Sequence, residues 1–223
     1  MEKEFIYDGD FLAICQPRCV NPMDLSSSYA AILCGGKSRR LGQDKALMYL
    51  NGSRIIDIII QTLQPLFDPI FFISDVRDKI HGVDITSVAD EIPNLGPLGG
   101  IYTALGVGIG EYCFVTACDT PFLTKEIIQA LWNEVDGEDI IVPKYQGLAE
   151  PLVGFYARRC RERIGEALEI DQKQTRSLWN CCNVRFVDLD KRFPAEYLQR
   201  VFFNINTVAD FDTAREMYGT QYA

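Results

Sequence analysis

The chain has 223 residues, 48% of them hydrophobic and 24% charged, proportions that suit one folded domain with a sizeable core. A net charge of −9 argues against a general nucleic-acid binder, which would carry a basic footprint. No apolar run approaches the roughly 20 residues of a membrane span.

Residues 1–28 show no periodicity and end in Asp24-Leu25-Ser26-Ser27-Ser28, a linker-like composition, so they are read as an N-terminal extension preceding a domain of residues 29–223. The acidic start Met1-Glu2-Lys3-Glu4 lacks the basic and apolar regions of a secretory signal, and a cytoplasmic location is expected. From Tyr29 onward strands and helices alternate. Tyr29–Cys34 reads as a short buried strand, followed by a glycine-rich loop. Ile55–Phe67 has apolar residues at helical spacing. Pro69–Ser74 and Asp84–Ala89 read as strands, Gly99–Gly106 as a helix, and Tyr112–Ala117 as a near-continuous apolar strand. Thr124 is placed to cap a helix over Lys125–Glu134. Strands over Asp139–Pro143 and Leu152–Tyr156, a helix over Cys160–Leu168, a strand at Arg185–Val187 and a closing helix over Asp210–Tyr218 complete the order. Apolar strands buried on both faces and separated by helices predict an α/β fold: a single-domain, mostly parallel Rossmann-like sheet with helices on both faces. Ligands of such sheets bind beyond the carboxyl ends of the strands.

One loop lies at such an end: Ala31-Ile32-Leu33-Cys34-Gly35-Gly36-Lys37-Ser38-Arg39-Arg40-Leu41-Gly42-Gln43-Asp44-Lys45-Ala46. Two glycines let backbone N–H groups approach a polyphosphate, and the cations that follow neutralise its charge. It is neither a Walker A loop nor a G-x-G-x-x-G dinucleotide fingerprint. A second motif, Ala117-Cys118-Asp119-Thr120-Pro121, sets a carboxylate at the end of an apolar strand, suited to a hard divalent cation such as Mg2+. A third, Ala89-Asp90-Glu91 with Gly96-Pro97-Leu98-Gly99-Gly100, lies between them. Taken alone it reads as a loop and a helix entry. Glu150-Pro151-Leu152, Gln174-Thr175-Arg176-Ser177-Leu178 and Asn204-Ile205-Asn206-Thr207 follow. Amides at alternate strand positions would point the same way, and a turn-forming role for these asparagines remains open.

These motifs, in this order, resemble the nucleotidyltransferases whose loop has the form L-x-G-G-x-[SG]-x-R-[ML]-G-x-[DP]-K. Ser38 and the pair Asp44-Lys45 resemble one branch, the molybdenum cofactor guanylyltransferases (the molybdopterin-guanine dinucleotide biosynthesis protein A family). The resemblance implies transfer of GMP from GTP to the phosphate of Mo-molybdopterin, with release of pyrophosphate. It implies catalytic roles for Arg40, Lys45 and Asp119, with Asp119 holding Mg2+. Nucleotide binding would fall to Leu33, Cys34, Gly35, Gly36, Lys45, Ser74, Asp90 and Asp119, and acceptor binding to Arg176, Asn204 and Asn206. Transient contact with cofactor-biosynthesis proteins or apo-molybdoenzymes is also implied, with neither nucleic acid nor membrane as a partner. Guanylyltransferases often carry Asn after the second strand, where this chain has Ser74 and Asp75. A cytidylyltransferase for molybdopterin or another small phosphate acceptor, and a non-catalytic nucleotide-binding cofactor chaperone, are the competing readings.

The remaining chemistry-bearing residues say less. The lone His81 reads as a solvated surface residue. Cys34, Cys113 and Cys118 sit in apolar runs, where a thiol behaves as a small hydrophobe. Zinc at Cys15/Cys19 or Cys181/Cys182 stays open, although one histidine and no second pair at ribbon spacing make reduced thiols the simpler reading.

Overall fold

The computed structural model describes residues 25–34, 45–76, 80, 82–83 and 85–219. The extension to residue 24, the loop 35–44, His81 and Asp84 lie outside them. Strand β1 (Tyr29–Cys34) is buried at all six residues and is an interior strand of the main sheet. The sheet also contains β4 (Ile70–Ser74), β5 (Thr86–Ala89), β6 (Tyr112–Ala117), β7 (Ile140–Tyr145), β8 (Leu148–Ala149), β9 (Val153–Ala157) and β10 (Val184–Asp188), in the order β10-β7-β9-β6-β1-β4-β5 with β8 on β7. Strands β4, β1, β5 and β6 pair in parallel, as do β7 and β10, whereas β9 runs antiparallel to β6 and β7. The mostly parallel sheet expected from the apolar strands is therefore present. Burial on both faces is why β1 and β6 read as continuous apolar runs and not as alternating ones.

Helices cover both faces. On one side, α1 (Ile55–Leu63) buries Ile55, Ile56, Ile58, Ile59, Ile60 and Leu63, and the chain after it drops Phe67 onto the sheet. Phe67 stacks on Phe114 at 5.4 Å, Phe114 meets Phe155 at 5.0 Å, and Trp132 of α3 (Lys125–Trp132) meets Phe155 at 5.0 Å. Such offset and tilted pairs add directional attraction to the area they bury. On the other side, α2 (Gly96–Val107) receives a hydrogen bond from the Tyr29 hydroxyl at the Ala104 carbonyl, 3.1 Å away, and packs on α4 (Cys160–Glu169).

Two hairpins were not expected. Strands β2 (Tyr49–Leu50) and β3 (Ser53–Arg54) join through Asn51-Gly52, with φ of 45° and 93°. Strands β7 and β8 join through Gln146-Gly147, with φ of 50° and 75°. Positive φ at both central residues of a two-residue loop is the turn geometry that matches strand twist. Helices α5 (Ala195–Val201) and α6 (Val208–Gly219) close the chain, α5 being a further element beyond those expected. The expected side-chain cap from Thr124 is absent: α3 has no such bond, because the Thr124 hydroxyl pairs instead with the Tyr197 hydroxyl of α5 at 2.5 Å.

Candidate active site

The sheet register aligns the strand ends from which the motif residues leave. Cys34 pairs with Ser74, Ser74 with Ala89, and Leu33 with Ala117. The ends are also bonded to one another: Cys118 N–H donates to the Leu33 carbonyl at 3.0 Å and Asp90 N–H to the Ser74 carbonyl at 2.7 Å. The glycine-rich loop, Asp75, Asp90 and Asp119 thus all depart from one carboxyl edge, where parallel sheets bind ligands. Gly35, Gly36 and Arg40 lie outside the described residues, and the described chain resumes at Lys45.

Lys45 opens a single 3-10 turn, Lys45–Leu47, anchored by the fully buried Ala46. Its ammonium donates to Asn206 Oδ1 at 2.9 Å and stands 3.7 Å from Asp119 Oδ2. Asp119 is held from behind, since its carbonyl accepts the Ile205 N–H at 3.0 Å. Burial raises the pKa of the Asp119 carboxyl, and the nearby Lys45 charge opposes that shift without cancelling it. The side chains of Lys45 and Asp119 keep 16% and 27% of their surface open, enough for a ligand to reach both.

The segment carrying Asn204 and Asn206 is not a strand; it runs irregularly from α5 into α6. Its turn chemistry belongs to its neighbours. Asp210 Oδ2 accepts the N–H groups of Asn206 and Thr207 at 2.9 and 2.8 Å, while Asp210 N–H donates to Thr207 Oγ1 at 3.1 Å. This reciprocal capping of α6 leaves the Asn206 amide oxygen for Lys45. Asn204 is half-buried two residues earlier, beside the Ile205 link to Asp119. Asn206 is therefore brought to Lys45, which stands beside Asp119.

Other expected residues are placed differently. Ser74 is fully buried, and its hydroxyl donates to the Val76 carbonyl at 2.5 Å. Its single proton is spent on shaping the turn after β4, and its oxygen keeps acceptor capacity. Leu33 and Cys34 are buried as well. Gly99 and Gly100 serve packing within the fold: a Cβ on Gly100 would lie 3.4 Å from the Leu33 methyl groups, and one on Gly99 would lie 2.8 Å from Leu95 Cβ. The closeness they permit among the described residues is of helix to strand and helix to preceding loop. Asp90 is half-buried at the edge itself.

Glu150 opens the Glu150-Pro151-Leu152 motif. It precedes β9, with its N–H donating to the Pro143 carbonyl at 3.0 Å. Burial raises its pKa, Arg176 lowers it and Asp119 raises it, so the carboxylate lies within electrostatic reach of both. Arg176 is exposed on the 3-10 turn Thr175–Asn180, 5.7 Å from the Trp179 ring centre. The signal for Glu150 was its position at the start of an apolar strand on the ligand edge. Among the described residues no group of three or more His, Cys, Asp or Glu side chains could hold a metal ion, and no helix is long and apolar enough to cross a membrane.

Comparison with known proteins adds a second line of argument. A sequence profile of the MobA-like NTP transferase domain matches residues 30–183. A probable molybdenum cofactor guanylyltransferase of Natranaerobius thermophilus is 35% identical over 199 residues, covering 85% of this chain and 96% of the relative. One from Carboxydothermus hydrogenoformans is 32% identical over 190 residues, covering 84% and 95%. The crystal structure of molybdopterin-guanine dinucleotide biosynthesis protein A from Archaeoglobus fulgidus superimposes with a TM-score of 0.73 at 26% identity, covering 86% of this chain and 99% of that one.

Proposed function

Since this chain belongs to the family of MobA-like NTP transferase domains, we propose that it is a molybdenum cofactor guanylyltransferase, moving GMP from GTP to the terminal phosphate of Mo-molybdopterin. The observation that carries the reading is the meeting of Lys45, Asp119 and Asn206 at the carboxyl edge of the sheet.

The acceptor phosphate is already anionic at neutral pH, so the reaction needs no general base. One acceptor oxygen attacks the α-phosphorus of GTP, the bond from that phosphorus to the β-bridging oxygen breaks, and pyrophosphate leaves with the electron pair. Catalysis is then positioning together with neutralisation of the charge on the transferring group and the leaving pyrophosphate. Lys45 supplies one fixed cation, oriented by Asn206, and Arg40 supplies a second in this reading. Gly35 and Gly36 offer N–H groups to the triphosphate, and Asp90 contacts the nucleoside. The Asp119 carboxylate is a hard oxygen donor that fits Mg2+ alongside phosphate oxygens and water. Bound there, Mg2+ would act as a Lewis acid on the phosphoryl oxygens. Arg176, with Glu150 beside it, faces the acceptor, and Asn204 supports that side. The protein works in the cytoplasm in this reading, passing its product to apo-molybdoenzymes.

Thermal unfolding with Mg2+ and GTP, CTP or ATP tests the nucleotide, because a ligand bound only by the native state raises the midpoint in proportion to the logarithm of its excess over Kd. GTP should give the largest shift, and pyrophosphate release should require both GTP and Mo-molybdopterin. A shift with CTP alone would replace guanylyl by cytidylyl transfer. Tight GTP binding with no pyrophosphate release would favour the cofactor-chaperone reading.

A further inference from the structure

The loop from Asp90 to Leu95 joins β5 to α2 at the carboxyl edge of the sheet and carries Asp90, the proposed nucleoside contact. Residues 91–94 are exposed, so packing alone does not fix this stretch. Its start is bonded inward. Asp90 N–H donates to the Ser74 carbonyl at 2.7 Å, and Glu91 N–H to Thr103 Oγ1 at 2.9 Å. The buried Thr103 hydroxyl donates on to the Gly99 carbonyl at 3.0 Å, which ties the loop to the first turn of α2. The Glu91 carboxylate then accepts the guanidinium of Arg161, on α4, at 2.5 Å. Two helices thus hold one loop.

Arg161 is itself aimed. Its guanidinium carbon lies 4.2 Å from the Tyr102 ring centre, and its Nε donates to the Tyr102 carbonyl at 3.4 Å. Gly106, one turn further along α2, leaves room for it, since a Cβ there would lie 2.9 Å from Arg161 Nε. A guanidinium stacked on an aromatic ring has lost much of its freedom before it meets Glu91. The side chains of Glu91 and Arg161 keep 51% and 34% of their surface open, and an ion pair that exposed adds little to stability. What it supplies is direction, because a charge-assisted bond from a fixed fork orients the carboxylate it meets.

We infer that Arg161 is a positioning residue for the nucleotide: through Glu91 it holds the loop 90–95 so that Asp90 meets the nucleoside in one geometry. The inference rests on the reading of Asp90 as a nucleoside contact. Arg161 acts through the loop and not on the substrate. A loop already held in its binding conformation costs the ligand less ordering entropy, and the gain appears as nucleotide affinity. The acceptor is indifferent to this device. Glu150 leaves the sheet at β9, whereas Asp90 leaves it at β5, with β6, β1 and β4 between them. Losing the Arg161–Glu91 pair therefore weakens one substrate and spares the other.

The test is calorimetric titration of the full-length protein with Mg2+ and GTP, alongside pyrophosphate release with each substrate varied in turn. Glu91→Gln should weaken GTP binding on the order of tenfold, the scale of one coupled contact, and leave the KM for Mo-molybdopterin unchanged. Removing a negative charge would by itself favour an anionic ligand, so this loss separates positioning from a simple charge effect. Arg161→Met should match it, and the double variant should be no weaker than either single one. Gly106→Ala keeps both charges and improves helix propensity, yet should also weaken GTP binding, because the new Cβ displaces the guanidinium. Unchanged or tighter GTP binding in Glu91→Gln, additive losses in the double variant, or an equal loss for the acceptor overturns the inference. Asp90→Ala tells its failure from that of the underlying reading. GTP affinity lost there but kept in Glu91→Gln removes Arg161 alone, whereas affinity kept in Asp90→Ala removes the nucleoside contact and the inference with it.

Discussion

Lys45 and Asn206 come from opposite ends of the domain, yet the lysine ammonium donates to the asparagine amide oxygen at 2.9 Å. Asp119 lies further away, at 3.7 Å, so Lys45 is held by a neutral acceptor beside the carboxylate and not clamped onto it. Asn206 is thus a positioning residue for the cation. Asn206→Ala should lower kcat/KM for guanylyl transfer by roughly 10- to 100-fold, the scale of one hydrogen bond to a charged group. Thermal unfolding should change little, because Asn206 is exposed and the cap of α6 rests on Thr207 and Asp210. Unchanged steady-state kinetics would remove Asn206 from the site.

Lys45→Ala removes a fixed cation from the developing charge and should cost about 100- to 1,000-fold in kcat, comparable to loss of one oxyanion donor. An effect on KM alone would mean that Lys45 binds ground state and transition state equally. Asp119→Asn keeps the shape and should abolish turnover at any Mg2+ concentration while the protein still unfolds cooperatively at a similar temperature. Full activity in that variant would rule out Asp119 as the metal ligand.

Acid should weaken the fold through Asp139. Burial pushes its carboxyl pKa up, but the Asn183 N–H and the guanidinium groups of Arg159 and Arg163 outweigh that and hold it below the ordinary value. The same balance, with Arg185 as the main partner, lowers Glu138. Folded pKa values below the unfolded ones, about 3.9 and 4.3, mean that this stability is fully present above the unfolded values. It is lost as the pH falls through the folded ones. Asp139→Asn should cost about 2 kcal/mol at pH 7, discounted for the half-exposed arginines, and should flatten the decline below pH 5. Urea midpoints at several pH values measure both effects.

Two glycines should respond differently to alanine. In Gly154→Ala the new Cβ would lie 2.5 Å from the Ile141 carbonyl and 2.7 Å from Val142 Cγ1. Both belong to β7, which pairs with β9 and cannot retreat alone, so a loss of about 1–3 kcal/mol is expected. In Gly100→Ala the Cβ meets only the Leu33 methyl groups at 3.4 Å, and better helix propensity offsets the tightness, leaving stability within about 1 kcal/mol. Denaturant unfolding of both variants compares them directly.

Where an element is a run of apolar residues, the sequence was enough to find it: β1 and β6 begin and end where their apolar runs do. The β2–β3 hairpin was equally open to view, since Asn51-Gly52 is a strong two-residue turn signal, but strands of two residues show no periodicity to draw attention to it. Thr124 shows another limit. Its position before α3 is that of a cap, and Tyr197, far along the chain, captures its hydroxyl.

The candidate site divides in the same way. Sequence by itself determined which residues leave the sheet at one edge, because loop glycines, strand-end carboxylates and apolar runs are local patterns that a parallel sheet brings into line. Which side chains then engage was decided only by tertiary structure. The Asn206 amide reaches Lys45 because Asp210 and Thr207 satisfy the start of α6 and Ile205 is bonded to Asp119. The Ser74 hydroxyl turns to Val76, and the Cys160 thiol to the Asp139 carbonyl. A polar side chain has several partners it could satisfy, and local sequence does not distinguish them. The partner that the packed chain leaves within hydrogen-bonding distance is the one that counts.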